Sequence, residues 1–181
     1  MLFQINKTLS EEDYLAYNIF QATESPYGKR MIRKRKIAIL IYVATILLLV
    51  AFWLGWTTFA IIYVAAFGLL TLLYILLLKK LVIRSVKAQI KQLKKTGKSL
   101  FTPTSTLEFY EDYFVEISPS VRSEQKYAAI ERIYVVKDRY IFMYFSSTGA
   151  YVLPIVQIKE QIDQEEFMAF LSRKCANIEY Y

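Results

Sequence analysis

Two uninterrupted apolar runs dominate the pattern of the chain. From Ile37 to Trp56 it reads IAILIYVATILLLVAFWLGW, and from Phe59 to Leu78 it reads FAIIYVAAFGLLTLLYILLL. Each run is 20 residues long and carries no charge. A helix of that length covers ~30 Å, the thickness of a bilayer's hydrocarbon core. Only Thr57 and Thr58 separate the runs. Together they predict a transmembrane helical hairpin, since a backbone in lipid has no water to bond.

On both sides the period changes. Phe3 and Ile5 alternate with Gln4 and Asn6, the period of a short strand. Ser10 ahead of Glu11, Glu12 and Asp13 marks a helix start, with Tyr14, Leu15, Ile19 and Phe20 on one face. Ser25-Pro26-Tyr27-Gly28 breaks that helix. Beyond Leu78, Val82, Val86, Ile90 and Leu93 recur at helical spacing. Opposite them stand Arg84, Lys87, Lys91, Lys94, Lys95 and Lys98. This is a basic amphipathic helix, closed at Gly97, that lies on the inner leaflet or stands up into the cytosol.

From Ser99 the chain is β-rich. Residues 106–110 and 113–118 flank Glu111-Asp112 as a hairpin, with Leu107 and Phe109 facing Val115 and Ile117. After a polar stretch to Lys126, residues 130–136, 140–146 and 151–155 read as strands. Pro154 cannot donate to a ladder and belongs at an edge or a strand end. Asp163 and Glu166 start a last helix with Phe167, Phe170, Leu171 and Cys175 on its apolar side.

The predicted organisation has five parts. They are an N-terminal cytosolic strand and helix (1–28), a basic juxtamembrane segment (29–36), the membrane hairpin (37–78), the basic helix (79–98) and a β domain with a C-terminal helix (99–181). The class is an α+β membrane protein with a small antiparallel sheet or open barrel. Leu2–Lys7 has no partner strand nearby in sequence, so it is expected to join the sheet built from residues 105 to 155. The hairpin would then be an insertion in one domain; a loose N-terminal lead-in is the alternative.

Charge sharpens this picture. The net charge is +7, but residues 25–107 hold fourteen basic side chains and no acidic one. Residues 108–181 hold eight basic and twelve acidic ones, so no uniformly basic surface exists to suit a nucleic-acid binder. The excess flanks the hairpin: Lys29, Arg30, Arg33, Lys34, Arg35 and Lys36 before it, Lys79, Lys80, Arg84, Lys87 and Lys91 after it. The positive-inside rule puts both clusters in the cytoplasm, with Trp53 and Trp56 near the outer interface. The expected location is the cytoplasmic membrane, N-in and C-in. Lys34, Arg35, Lys36, Lys79, Lys80, Arg84, Lys87 and Lys91 are candidate contacts for anionic lipid. The alternative is that these residues merely fix topology. Ala44, Ala51 and Gly55 on one helix, and Ala65 and Gly68 on the other, are candidates for close helix–helix packing.

Catalytic signatures are missing from the sequence. It has no histidine, no Gly-rich phosphate loop and no nucleophile elbow. Its single cysteine, Cys175, forms no internal disulfide and has no histidine to activate it. The carboxylate pairs at Glu11-Glu12, Glu111-Asp112 and Glu165-Glu166 fall where helix starts and turns want acids. Tyr134, Tyr140, Phe142, Tyr144 and Phe145 lack interleaved basic residues and read as core rather than as a stacking platform for bases. No enzyme and no cofactor is expected.

The order of parts, with TLSEEDYLAYNIF before the hairpin and FVEIS, KYAAIERIYVVKDRYIFMYFSSTGAYVLPI and a final helix after it, resembles the YcxB-like family of small bacterial membrane proteins. Tyr127 stands where that family carries an aromatic. The resemblance implies a pleckstrin-homology-like tail and no catalytic residues. The expected function is a non-enzymatic module that binds a partner protein or a lipid headgroup beside the bilayer. The alternative is an accessory or immunity-type protein whose hairpin engages another membrane protein.

Overall fold

The computed structural model describes residues 1–54, 57–95, 103–146 and 149–181. Gly55, Trp56, Gly97 and Lys98 lie outside the described residues. The chain is α+β, with two long apolar helices and two four-stranded sheets. It divides into two compact units, residues 1–17 with 92–181, and residues 18–91.

In the first unit β1 (Phe3–Thr8) pairs antiparallel with β2 (Thr104–Phe109), which continues through β3 (Tyr113–Ile117) to β4 (Arg122–Lys126). The N-terminal strand thus finds its partner across the whole apolar part of the sequence. Alternation sets the register, for Phe3 lies opposite Phe109 and Ile5 opposite Leu107. A slip of β1 by one residue would turn Phe3 and Ile5 to the other face.

The second sheet runs β7-β6-β5-β8, from β5 (Arg132–Val136), β6 (Tyr140–Tyr144), β7 (Ala150–Pro154) and β8 (Ile178–Tyr180). β8 is parallel to β5 and the other pairs are antiparallel. The small antiparallel sheet or open barrel expected is realised as two four-stranded sheets, and β4 and β8 are additions. β4 reads RSEQK, a strand without apolar alternation, which is why the sequence pattern misses it.

The β2–β3 hairpin also corrects the expected facing. Leu107 and Phe109 lie opposite Glu116 and Phe114, not beside Val115 and Ile117. The turn holds only Glu111 and Asp112, since the Tyr110 amide donates to the Tyr113 carbonyl at 2.9 Å. A two-residue loop pairs odd positions with even ones, so Phe114 takes the inward place.

Between the sheets lie Ile5, Leu107, Phe109, Phe114, Ile133, Ile141, Met143 and Leu153, all essentially without exposure. Two helices close this core, α4 (Ile155–Gln161) through Ile155 and Ile158, and α5 (Gln164–Lys174) through Phe167, Phe170 and Leu171. Asp163 caps α5 by accepting from the Glu165 and Glu166 amides. Tyr127, in a short 3-10 turn, donates its hydroxyl to the Tyr110 carbonyl at 2.8 Å and packs its ring on Phe114 and Phe170.

The second sheet is buried on both faces. On its outer face Phe142 and Tyr144 meet Tyr17 of α1 (Glu11–Thr23), ring centres 5.5 and 6.0 Å apart. Burial pushes the Tyr17 hydroxyl up to about 12. α1 begins with a reciprocal capping box, Ser10 Oγ accepting from the Asp13 amide and Asp13 Oδ2 from the Ser10 amide. The other Asp13 oxygen accepts from Tyr140 at 2.9 Å, tying the helix to β6. The strand aromatics are therefore core, apart from Phe145, which is exposed.

Sheet edges are managed one by one. Along β1, two glutamines one turn apart on α4 act as a surrogate strand. Gln161 accepts from the Asn6 amide and donates to its carbonyl, and Gln157 does the same for Thr8. The primary amide of each copies a peptide unit, so the strand's outward groups are satisfied without another strand. β7 ends in Pro154, as an edge strand can. β4 presents exposed Arg122, Glu124 and Lys126.

Between β5 and β6 both Lys137 and Asp138 adopt positive φ, 51° and 49°, in a turn that favours Asn-Gly. The Lys137→Asn, Asp138→Gly double variant is expected to gain about 1 kcal/mol of stability. Thermal unfolding should show a midpoint a few degrees higher; an unchanged or lower one would contradict the strain.

Candidate functional site

The second unit consists of the end of α1, the helix α2 (Pro26–Leu54) and the helix α3 (Thr58–Lys95) as far as Lys91. Pro26 opens α2, and the Ser25 hydroxyl accepts from the Gly28 amide while donating to the Gln21 carbonyl. A Cβ at Gly28 would stand 2.4 Å from the Gln21 carbonyl oxygen. Only glycine permits that close elbow between α1 and α2.

The apolar runs form the body of both helices. Pro26–Trp53 and Ile61–Lys95 are long and apolar enough to cross a membrane. Along α2 the better-covered positions are Ile39, Val43, Ile46 and Val50; along α3 they are Val64, Gly68, Thr71, Ile75 and Leu78. Both sets step by three and four, the seam of two helices packed side by side. An apolar groove between them is lined by Ile46, Leu47, Val50, Tyr63, Val64 and Phe67. Away from the seam Leu48, Phe52, Phe59, Leu69 and Leu76 are widely exposed.

Ala44 and Ala65 are exposed, and Ala51 and Gly68 are half-buried. A Cβ at Gly68 would meet nothing within 4 Å.

The basic segments are not separate elements. Residues 29–36 form the first turns of α2, and Lys79 to Lys95 continue α3 without a break. Lys34, Arg35, Lys80, Arg84, Lys87 and Lys91 are exposed, and Lys36 is half-buried. Lys80, Arg84, Lys87 and Lys91 form a stripe at steps of four, three and four, on the side away from Leu78, Val82 and Val86. Lys79 lies off that stripe, and its ammonium meets Glu24 at 2.5 Å. At ~1.5 Å per residue, Lys87 and Lys91 stand ~14 and ~20 Å along the axis from Leu78.

The first unit holds a polar cluster that sequence reasoning missed. The Lys7 ammonium is 3.0 Å from Glu116 Oε1, which also accepts from the Ser105 hydroxyl at 2.8 Å. Lys7 is 5% exposed and lies over the Tyr151 ring. Burial, then the Glu116 charge, raises the Tyr151 hydroxyl above its usual range. The signal was present in the alternation Phe3, Ile5, Lys7, which puts the lysine on the inward face.

Cys175 is buried in the core, and burial pushes its thiol up, away from the reactive thiolate. Among the described residues no three His, Cys, Asp or Glu side chains gather as metal ligands.

No curated protein and no solved structure gives a significant match to the chain. Residues 109–171, from the end of β2 into α5, do match the family model described as YcxB-like protein, so the resemblance read from the sequence holds over this stretch.

Proposed function

We propose that the chain is a non-enzymatic protein of the cytoplasmic membrane, in which α2 and α3 span the bilayer and the β domain is a pleckstrin-homology-like binding module on the cytosolic side. The observation that carries this reading is the pair of helices with broad exposed apolar flanks and basic ends. Such flanks are costly in water and neutral in lipid. Two sheets around a core, closed by a helix after the last antiparallel strand, support the pleckstrin-homology likeness. Fold alone does not set function, and the binding reading rests on the missing catalytic signatures, with a partner protein or a lipid headgroup as ligand.

The lipid contacts differ along α3. The headgroup layer is ~5–7 Å deep on each side. Lys80 therefore reaches it, whereas Lys87 and Lys91, on a helix continuous with the span, stand beyond it. Lys79 is already engaged by Glu24. Lys34, Arg35, Lys36 and Lys80 are the side chains best placed for anionic lipid; Arg84, ~9 Å along the axis from Leu78, reaches back to the layer through its long side chain, and Lys87 and Lys91 point to a partner in solution.

Cysteines at Thr57 and Ser120, in a Cys175→Ser background, test the topology in whole cells. An impermeant maleimide should label the first and spare the second; labelling at Ser120 overturns the assignment. Phospholipids retained through detergent purification should be enriched in anionic species. That enrichment should fall in Lys80→Gln, Arg84→Gln and persist in Lys87→Gln, Lys91→Gln. Equal loss in both would remove the depth argument.

A further inference from the structure

β8 is an unusual strand. It has three residues, runs parallel to β5 and, among the described residues, has β5 as its one sheet neighbour. Parallel pairing is slightly the weaker kind per residue. Of its side chains, Ile178 touches the core and is half-covered, while Tyr180 is 72% exposed. Yet this light segment covers the edge of a strand whose Ile133, Tyr134, Val135 and Val136 are all buried. The Ile133 amide donates to the Asn177 carbonyl at 2.9 Å, the Lys137 amide to the Tyr181 carbonyl at 2.7 Å, and the Tyr181 amide to the Val135 carbonyl at 2.8 Å.

The side chains are read as well as the backbone. Arg132 holds Glu179 at 2.8 Å, with both groups 39% exposed. The Tyr181 ring sits edge-on to Tyr134 at 5.4 Å, and its hydroxyl donates to the second Glu179 oxygen. β5 thus offers an apolar contact, a guanidinium and an aromatic face at fixed intervals. This is the layout of a strand-addition site, where the main chain gives affinity and alternate side chains give selectivity.

We propose that the edge of β5 is a docking site for an extended peptide, and that residues 178–181 occupy it as a displaceable internal ligand. The partner segment has the chemistry now seated there: an apolar residue, an acidic one next to it, and an aromatic two positions further on. The inference rests on reading the β domain as a protein-binding module, but it needs neither the membrane assignment nor any lipid contact. The weak hold is what makes exchange possible. An exposed ion pair contributes little, and a short edge strand opens locally far more often than the domain unfolds.

The test uses the full chain in detergent micelles and a fluorescein-labelled peptide of sequence ANIEYY, read by anisotropy. An Ile178→Gly, Tyr181→Gly variant, which vacates the edge, should bind the peptide about tenfold tighter than the unaltered chain. Adding Arg132→Glu should weaken that binding, and a peptide with arginine in place of its glutamate should restore it. No binding by the folded variant, or equal binding of a scrambled peptide, overturns the proposal. Hydrogen exchange on the unaltered chain decides the matter if the variant does not fold. The Ile133 and Lys137 amides should exchange about tenfold faster than those of Phe142 and Met143 in the central strand β6. Equal protection means that β8 does not open on its own and overturns the proposal too.

Discussion

Replacing Ile5 by aspartate is expected to unfold the β domain, although the residue stands only five positions into the chain. Ile5 is 1% exposed and faces Leu107 on the inner side of the first sheet. The substitution removes the burial of a large aliphatic group, about 2–3 kcal/mol, and places an unpaired carboxylate in the same space, at a cost of several more. Against a typical domain stability of about 5–15 kcal/mol, that is enough to populate the unfolded state heavily. Gln4→Asp is the control, because Gln4 is exposed on the other side of the same strand. Its effect should stay within about 0.5 kcal/mol. Limited proteolysis in detergent should cut the Ile5→Asp domain rapidly and leave Gln4→Asp as resistant as the unaltered chain. Similar resistance in all three would show that β1 is dispensable.

The same strand shows how much of the fold can be read before any coordinates. Phe3 and Ile5 announce a half-buried strand by their spacing, and the want of a local partner points to the distant sheet. The long apolar runs, the Ser10 cap, the Asp163 cap and the edge position of Pro154 are legible for the same reason. Each rests on a local rule of period, capping or missing donor. What the pattern hides depends on neighbours instead. RSEQK becomes a strand only because β3 supplies its ladder, and Ile178–Tyr180 only because β5 has an open edge. The glutamines of α4 look like ordinary surface residues until the outward groups of β1 lie beside them.

The candidate site divides likewise. Its basic residues are visible as a charge asymmetry, and helical spacing runs on through them. Their different distances along the axis from Leu78 are not, because sequence alone leaves open whether one helix continues past the apolar run. Alanine and glycine permit close approach but do not compel it, and Val43, Ile46 and Ile75 are covered along with Ala51 and Gly68.

The Lys7–Glu116 pair carries the other large expected effect. Glu116→Ala should cost about 3 kcal/mol, near the lower end for a broken buried pair because the carboxylate is 22% exposed. The loss comes less from the missing attraction than from the ammonium left behind. Lys7 is 5% exposed, and its long stem is held by β1 pairing with β2, so it cannot turn readily to water. Removing the whole cluster should therefore be far milder than removing one member. In Lys7→Met, Glu116→Leu, Ser105→Ala every polar group of the cluster becomes apolar, and the leucine faces Leu107 directly across the β2–β3 pair. That variant should lie within about 1 kcal/mol of the unaltered chain or above it, since well-packed apolar replacements of buried ion pairs are often neutral or stabilising. Denaturant unfolding of the three proteins, followed by near-ultraviolet circular dichroism of the domain's tyrosines, measures both differences. If the triple variant is as unstable as Glu116→Ala, the cluster stabilises the domain through its own bonds and the desolvation account is wrong.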